Sequence, residues 1–194
     1  MNIPSLCIIQ ARLKSTRLEN KMLLKLGKET LIARAWRLAV ETFQDCAVVA
    51  IPKSNEDGPL GDELRRVGAR IFAWDGPEND VLGRFHACAH RYLWHPQSVI
   101  VRWTPDDPWK DPATCRLVAA GVRLPVEQGA EAFILDMLDA AWERLRLIPD
   151  SPLREHITDA LFPSRVPAPD DGKCWTVDTP EDYEAAKERY AREG

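Results

Sequence analysis

An open, doubly wound α/β domain is the fold this chain predicts, on three observations. Short apolar runs of strand length recur along its 194 residues, helical patterns separate them, and the two alternate for most of the length. The strands read as continuous apolar stretches rather than alternating ones, which suits a mostly parallel sheet with helices on both faces. In such a sheet the loops at the carboxyl ends of the strands carry ligands.

Leu6–Ile9 opens the series, and Leu31, Ala35, Leu38, Ala39 and Phe43 then recur at helical spacing behind Thr30, a natural N-cap. Ala47–Ile51 is the second strand, followed by a surface loop at Ser54–Gly58 and a helix at Leu60–Val67. Arg70–Trp74 is a strand and Asp80–Leu93 a longer helix. Ser98–Trp103 leads through an Asp/Pro-rich turn into a helix at Pro112–Val122. Ala132–Leu135 precedes a helix at Asp136–Leu147, with Met137, Leu138, Ala141 and Leu145 on one stripe. Phe162–Lys173 is a long irregular connection, Cys174–Val177 a last strand, and Thr179-Pro180-Glu181 the start of a last helix, with cap, proline and first-turn acid in place.

Composition narrows the function classes. Lys and Arg number 26 against 30 Asp and Glu, a net charge of -4 that gives no basis for general nucleic-acid binding. No apolar run reaches the ~18 residues of a membrane span. The start, Met1-Asn-Ile-Pro-Ser5, lacks the basic and apolar regions of a secretion signal. Cys7, Cys46, Cys88, Cys115 and Cys174 are scattered, with no CxxC spacing. A cytoplasmic protein is expected, folded as one domain over residues 1–194.

Against this acidic background, residues 10–28 are basic: Arg12, Lys14, Arg17, Lys21, Lys25 and Lys28 stand with the single acid Glu19. A strand that empties into a loop rich in Arg, Lys and Ser can grip a phosphate chain. GxGxxG and GxxxxGK[ST] are both absent, so side chains and loop amides would do the holding, and a nicotinamide-dependent oxidoreductase is disfavoured. Two aspartates end strands. Asp106 lies in Trp103-Thr104-Pro105-Asp106-Asp107 and Asp178 in Trp175-Thr176-Val177-Asp178-Thr179. Carboxylates there can hold Mg²⁺ beside substrate phosphates, although Asp before Pro also caps turns. Thr179 is the better cap in its segment, which frees Asp178 for a ligand. Trp103 and Trp109 could border the pocket. His86 and His90 stand at i, i+4 without the HExxH pattern of a zinc protease and read as a helix face.

Five segments, in order, carry a resemblance. They are Ile8-Ile9-Gln10-Ala11-Arg12 with Ser15-Thr16-Arg17-Leu18 and Lys21, Asn79-Asp80-Val81-Leu82-Gly83-Arg84-Phe85, and Val101-Arg102 through Asp106 to Asp111-Pro112. Arg154-Glu155-His156-Ile157-Thr158 and Trp175 through Asp182 complete the set. Together they resemble the cytidylyltransferases of the spore-coat polysaccharide type, which are similar to acylneuraminate and ketodeoxyoctulosonate cytidylyltransferases. The resemblance implies a Rossmann-like fold of the nucleotidyltransferase and glycosyltransferase-A type. It implies transfer of CMP from CTP to a sugar or sugar acid with release of pyrophosphate. By the same match Gln10, Ala11, Arg12, Ser15, Arg17 and Lys21 would hold the nucleotide, with Arg84 and Thr104 near it. Asp106 and Asp178 would bind Mg²⁺, and Arg12 and Lys21 would act in catalysis beside them. Arg154 and His156 would face the acceptor, and a homodimer would be the assembly.

The chain departs from that pattern at several points. Lys14 stands where the family has Gly, Glu19-Asn20 where it has Pro-Gly, and Pro105 where it has Gly. Losing Gly narrows the backbone's choices, and Pro removes an N–H. The acceptor and dimerisation arm, around residues 113–153, is shortened. These departures leave two further readings in view: a nucleotide-binding module without turnover, and a nucleotidyltransferase using another NTP.

Overall fold

The structure is a computed structural model that describes residues 5–15, 17–121, 131–162 and 176–193. Five strands form the main sheet: β1 (Ser5–Gln10), β4 (Ala47–Pro52), β5 (Ile71–Trp74), β6 (Val99–Trp103) and β7 (Glu131–Ile134). Two short strands, β2 (Lys25–Leu26) and β3 (Glu29–Thr30), make a separate antiparallel hairpin. The order across the sheet is β5-β4-β1-β6-β7. β1 is central and parallel to β4 (Cys7 opposite Ala47) and to β6 (Ile9 opposite Trp103). β5 is parallel to β4, whereas the edge strand β7 runs antiparallel to β6. The chain builds outward from β1 on one side and then crosses to the other, so the switch point lies between β1 and β6, where such sheets bind ligands.

Among the described residues seven α-helices flank the strands: α1 (Leu31–Phe43), α2 (Pro59–Arg66), α3 (Val81–Tyr92), α4 (Pro112–Ala119), α5 (Leu135–Leu145), α6 (Ile157–Leu161) and α7 (Pro180–Glu193). Alternate residues of β1 serve two cores. Leu6 and Ile8 pack with Leu82 and Phe85 of α3 and Leu138 and Leu145 of α5. Cys7 and Ile9 pack with Ile32 and Ala35 of α1, Leu60 and Leu64 of α2, and Cys115 of α4. All four β1 residues are nearly inaccessible. That is why the strand reads as an unbroken apolar run: a period of two disappears when both faces are covered.

The expected cap Thr30 is present, and Asp80 and Asp111 cap α3 and α4. Thr30 Oγ1 accepts from Ala33 N at 3.1 Å, Asp80 Oδ1 from Gly83 N at 2.9 Å, and Asp111 from Ala113 N and Thr114 N at 3.1 and 3.0 Å. Each satisfies amides that a helix leaves open. A third core, of Leu26, Leu31, Val177 and Ala186, docks α7 on the β2–β3 hairpin.

The expected strand at Cys174–Val177 is corrected. Thr176 and Val177 are not in a strand, and Cys174 and Trp175 lie outside the described residues. Val177 N donates instead to the Asp106 carbonyl at 2.8 Å, a single bond to the loop beyond β6 rather than a ladder. Residues 163–173 of the expected irregular connection also lie outside the described set. Trp103 is fully buried in the second core, and Trp109 packs under Arg189 of α7 with its Nε1 donating to Glu193 at 2.8 Å, so neither borders the pocket. No helix among the described residues is long and apolar enough to cross a membrane.

Candidate active site

At the carboxyl ends of β1 and β6 lies a cavity of about 330 Å³. The loop after β1 supplies Gln10, Arg12, Ser15, Arg17 and Lys21 to its wall, and the loop after β6 supplies Thr104 and Asp106. His156 and Asp178 come from the last third of the chain. Residues that the sequence separates by up to 168 positions thus share one wall. A second hollow of about 660 Å³ shares Arg12, Lys14, Ser15 and Glu155 with the first. Both volumes fall in the range of small-molecule sites.

Lys21 is the centre of the arrangement. Its Nζ donates at 2.9 Å to Asp106 Oδ2 and at 2.9 Å to Asp178 Oδ1, and Arg17 Nη2 adds a contact of 3.3 Å to the same Asp178 oxygen. The two carboxylates therefore converge on one point. Burial penalises the Lys21 ammonium, but Asp106 and the bonds to both acids outweigh it and raise its pKa above the ordinary 10.5. Burial likewise opposes ionisation of Asp106, and the Lys21 charge and hydrogen bond override it, holding the carboxyl below the ordinary 3.8. The cluster thus sets two carboxylates, Asp106 and Asp178, against two cations, the Lys21 ammonium and the Arg17 guanidinium.

Local chemistry explains why these side chains point inward. In the β6 loop the three aspartates divide their roles: Asp111 caps α4, Asp107 pairs with buried Lys110 at 3.3 Å, and only Asp106 reaches the cavity. Burial pushes the Asp107 carboxyl up, against the pull of Lys110. Ahead of α7, Thr179 Oγ1 accepts from Asp182 N at 3.2 Å while Asp182 Oδ2 accepts from Asp178 N and Thr179 N at 3.0 and 2.8 Å. This reciprocal capping box occupies Thr179 and Asp182 and leaves the Asp178 side chain to Lys21.

The basic loop is held by the side chains around it. Leu13 N donates to buried Asn55 Oδ1 at 3.0 Å, and Arg12 Nη1 donates to Asn79 Oδ1 at 2.5 Å. Lys14 reaches Glu78 at 3.2 Å. Asn20, where the resembled family has Gly, adopts the left-handed conformation with φ 51 and ψ 28. Asn tolerates this region better than other non-glycine residues, so the loop keeps its turn without Gly.

Three expected residues do not line the cavity. Ala11 is buried in the second core, its N–H bonded to the Ala50 carbonyl. Arg84 is fully buried and donates to the Glu78 carbonyl at 3.2 Å; its Nε and Nη2 have no partner among the described residues. Burial, then the neighbouring Arg12 charge, pushes its pKa down to about 10, still protonated at neutral pH. Arg154 turns away into the protein, bonded to Asp80 Oδ2 and, at 2.8 Å, to the Leu145 carbonyl.

Sequence reasoning missed Arg102 and Glu155, both in the cavity wall. Arg102 pairs with Glu131 of β7 at 3.1 Å. The signal was available: a charged residue inside an apolar strand, two positions before Thr104, points to the same face by the strand period. Gln10 Oε1 is buried with no partner among the described residues, an acceptor in the cavity wall ready for a ligand's donor.

The mostly parallel sheet with a cavity at its switch point defines an open α/β ligand-binding class, and comparison with known proteins makes it specific. A family model described as cytidylyltransferase matches residues 6–120, more than half of the chain, and the chain belongs to that family, a family of nucleotidyltransferases. It is 30% identical over 222 residues to the spore coat polysaccharide biosynthesis protein SpsF of Bacillus subtilis, covering 97% of this chain and 87% of that one. It is also 30% identical over 170 residues to an uncharacterised protein of Methanocaldococcus jannaschii, covering 80% of this chain but spanning only 65% of that relative's length. Among solved structures, a cytidylyltransferase from Leptospira borgpetersenii superposes with a TM-score of 0.75 at 27% identity, over 98% of this chain and 88% of that one. A CMP:2-keto-3-deoxy-manno-octonic acid synthetase complexed with CTP gives a TM-score of 0.69 at 16% identity, over 98% and 100%, a likeness of fold.

Proposed function

We propose that this protein transfers CMP from CTP to a hydroxyl of a sugar or sugar acid, releasing pyrophosphate and yielding an activated sugar for glycan synthesis. The observation that carries the reading is the convergence of Asp106 and Asp178, each 2.9 Å from the Lys21 ammonium, beneath a loop bearing Arg12 and Arg17. Two hard carboxylate oxygens already gathered around a positive charge fit Mg²⁺, so Asp106 and Asp178 are its proposed ligands. Bound there, the ion would supply Lewis-acid chemistry that neutralises charge on the leaving pyrophosphate.

The chain's own residues do the positioning. Arg12, Arg17 and Lys21 grip the triphosphate, with the Ser15 hydroxyl and loop amides beside them. Gln10 and Thr104 offer polar contacts in the same wall, and Arg84, buried under Arg12, adds positive potential from below. The acceptor oxygen attacks the α-phosphorus, the bond to the bridging oxygen breaks, and the pyrophosphate departs in line. Catalysis of this kind rests on alignment and on cations around the leaving group. His156, in the cavity wall with Glu155, is placed to receive the acceptor's proton. Arg154 does not touch the cavity and would act on the acceptor only by holding the segment that bears Glu155 and His156.

The reading takes residues 1–194 as one catalytic domain with a reduced acceptor arm around 113–153, working in the cytoplasm where CTP is made. Lys21, Asp106 and Asp178 come from one chain, so a homodimer would not be needed to complete the cluster. A second reading, a nucleotide-binding module without turnover, is favoured by Pro105, which removes a loop N–H beside Asp106.

Incubation with CTP, Mg²⁺ and a panel of sugars and sugar acids should release pyrophosphate, with CTP preferred to UTP, GTP and ATP. CTP binding by calorimetry without release under any condition would establish the second reading. Preference for a different nucleotide would move the base assignment, and no nucleotide binding at all would remove both.

A further inference from the structure

Helices α3 and α5 carry a second cluster of ligand-type side chains, which nucleotidyl transfer does not use. His86 and His90 stand one turn apart on α3, so both imidazoles leave the same face. Asp139 on α5 meets them there. Its Oδ1 lies 3.3 Å from His86 Nε2 and 2.7 Å from His90 Nε2. The three ligand atoms all fall within 4.8 Å of one another.

We infer that His86, His90 and Asp139 form a site for a late first-row divalent ion, Zn²⁺ or Ni²⁺, which clasps α3 to α5 apart from the nucleotide cavity. The donor set selects the ion. Imidazole nitrogens favour zinc, copper and nickel, whereas Mg²⁺ and Ca²⁺ prefer an all-oxygen shell. Two of the three separations are close to what such an ion needs. With zinc bonds of about 2.0–2.2 Å, tetrahedral ligand atoms stand roughly 3.3 Å apart. The Asp139–His86 contact already has that spacing, and the Asp139–His90 contact must open by roughly half an ångström. His90 has the freedom to do so, because its side chain is 42% exposed.

His86 is held more firmly. Its ring stacks on Trp142 of α5, with centroids 4.8 Å apart and planes 17° from parallel. That stack fixes where Nε2 points, as an outer partner orients a metal-bound imidazole. Three protein ligands at a partly exposed position leave the remaining coordination places to water, and an ion can enter from solvent. A plain hydrogen-bonded trio is the competing account, in which Nε2–H groups donate to the carboxylate and no ion adds anything.

The test uses untagged full-length protein stripped with a chelator and titrated with ZnCl₂, NiCl₂ or MgCl₂ by calorimetry, in the absence of any nucleotide. Wild type should bind one equivalent of Zn²⁺ that excess Mg²⁺ does not displace. His90→Ala and Asp139→Asn should each lose it or weaken it at least about tenfold. Asp178→Asn and Cys46→Ser should keep it. Zn²⁺ should raise the melting temperature of wild type and not of His90→Ala, whose metal-free melting serves as the check on folding. Zn²⁺ affinity in His90→Ala within about twofold of wild type would overturn the site, as would its loss in Asp178→Asn or Cys46→Ser instead. Because no nucleotide is present, the result stands or falls independently of cytidylyl transfer.

Discussion

Two charged clusters join distant segments of this chain, and they follow opposite plans. Arg154 and Asp80 form a closed pair, both side chains 7% exposed. Asp80 Oδ1 meanwhile caps α3, Arg154 Nη1 bonds the Leu145 carbonyl, and the guanidinium lies 4.8 Å over the Trp142 ring. The pair is sealed from solvent, with the buried Arg84 charge also close to Asp80. Around Lys21 two carboxylates share one ammonium, and Asp106 and Asp178 remain 24% and 29% exposed. The first cluster is sealed in the interior; the second opens toward a cavity whose wall carries Arg12, Arg17 and Arg102. A sealed pair fastens elements together, whereas an open one is what a cation and a phosphate chain can enter.

The contrast can be broken most directly at Arg154. Arg154→Ala strands the Asp80 carboxylate in the interior and should cost about 3–5 kcal/mol of stability, read by denaturant unfolding. A loss below about 1 kcal/mol would show that the pair does not fasten α3 to the 152–155 turn. Asp106→Asn and Asp178→Asn should instead spare the fold, at about 1 kcal/mol, and lower Mg²⁺-dependent pyrophosphate release at least about 100-fold, since each replaces a charged oxygen ligand by a neutral one. Undiminished turnover in either variant would sink that residue's metal role. Lys21→Ala should weaken CTP binding by roughly tenfold and CMP binding by much less, measured calorimetrically; equal losses would mean that its ammonium does not reach the outer phosphates.

The smallest effect is one of pH. Asp106 ionises below its ordinary 3.8 in the folded protein, so its contribution is present above 3.8 and lost as pH falls through the depressed native value. Lys21 titrates above its ordinary 10.5, so its share persists below 10.5 and is lost only as pH rises through the raised native value. Thermal melts of wild type and Asp106→Asn should differ by about 1 kcal/mol at about pH 6, with the gap shrinking as pH falls below 3.8. A gap unchanged across that range would contradict the ion pair.

How far the sequence carries can be judged on these same residues. β1 and β4 were legible because burial on both faces leaves unbroken apolar runs, β5, β6 and β7 because their short apolar runs stand out even where half-buried, and the helices by their apolar spacing and, at Thr30 and Thr179, by their caps. Val177 was misread as strand: a short apolar run looks the same whether it enters a ladder or, as here, packs with Leu26 and Leu31 under α7. Resemblance brought Arg154 to the acceptor side beside His156, yet consecutive segments can face opposite ways. Only tertiary packing revealed that Arg154 points to α3 while Glu155 and His156 point to the cavity. Asp139 had no local signal at all, since its partnership with His86 and His90 spans two helices.

The Asp178–Lys21 contact bridges 157 positions of sequence. A chain still emerging from the ribosome therefore has the arginines of its basic loop long before it owns the second carboxylate. Asp182 at the start of α7 holds the Asp178 segment, and α7 docks on the β2–β3 hairpin, so proteolytic trimming of α7 is expected to loosen Asp178 from Lys21 while leaving the sheet and both main cores intact.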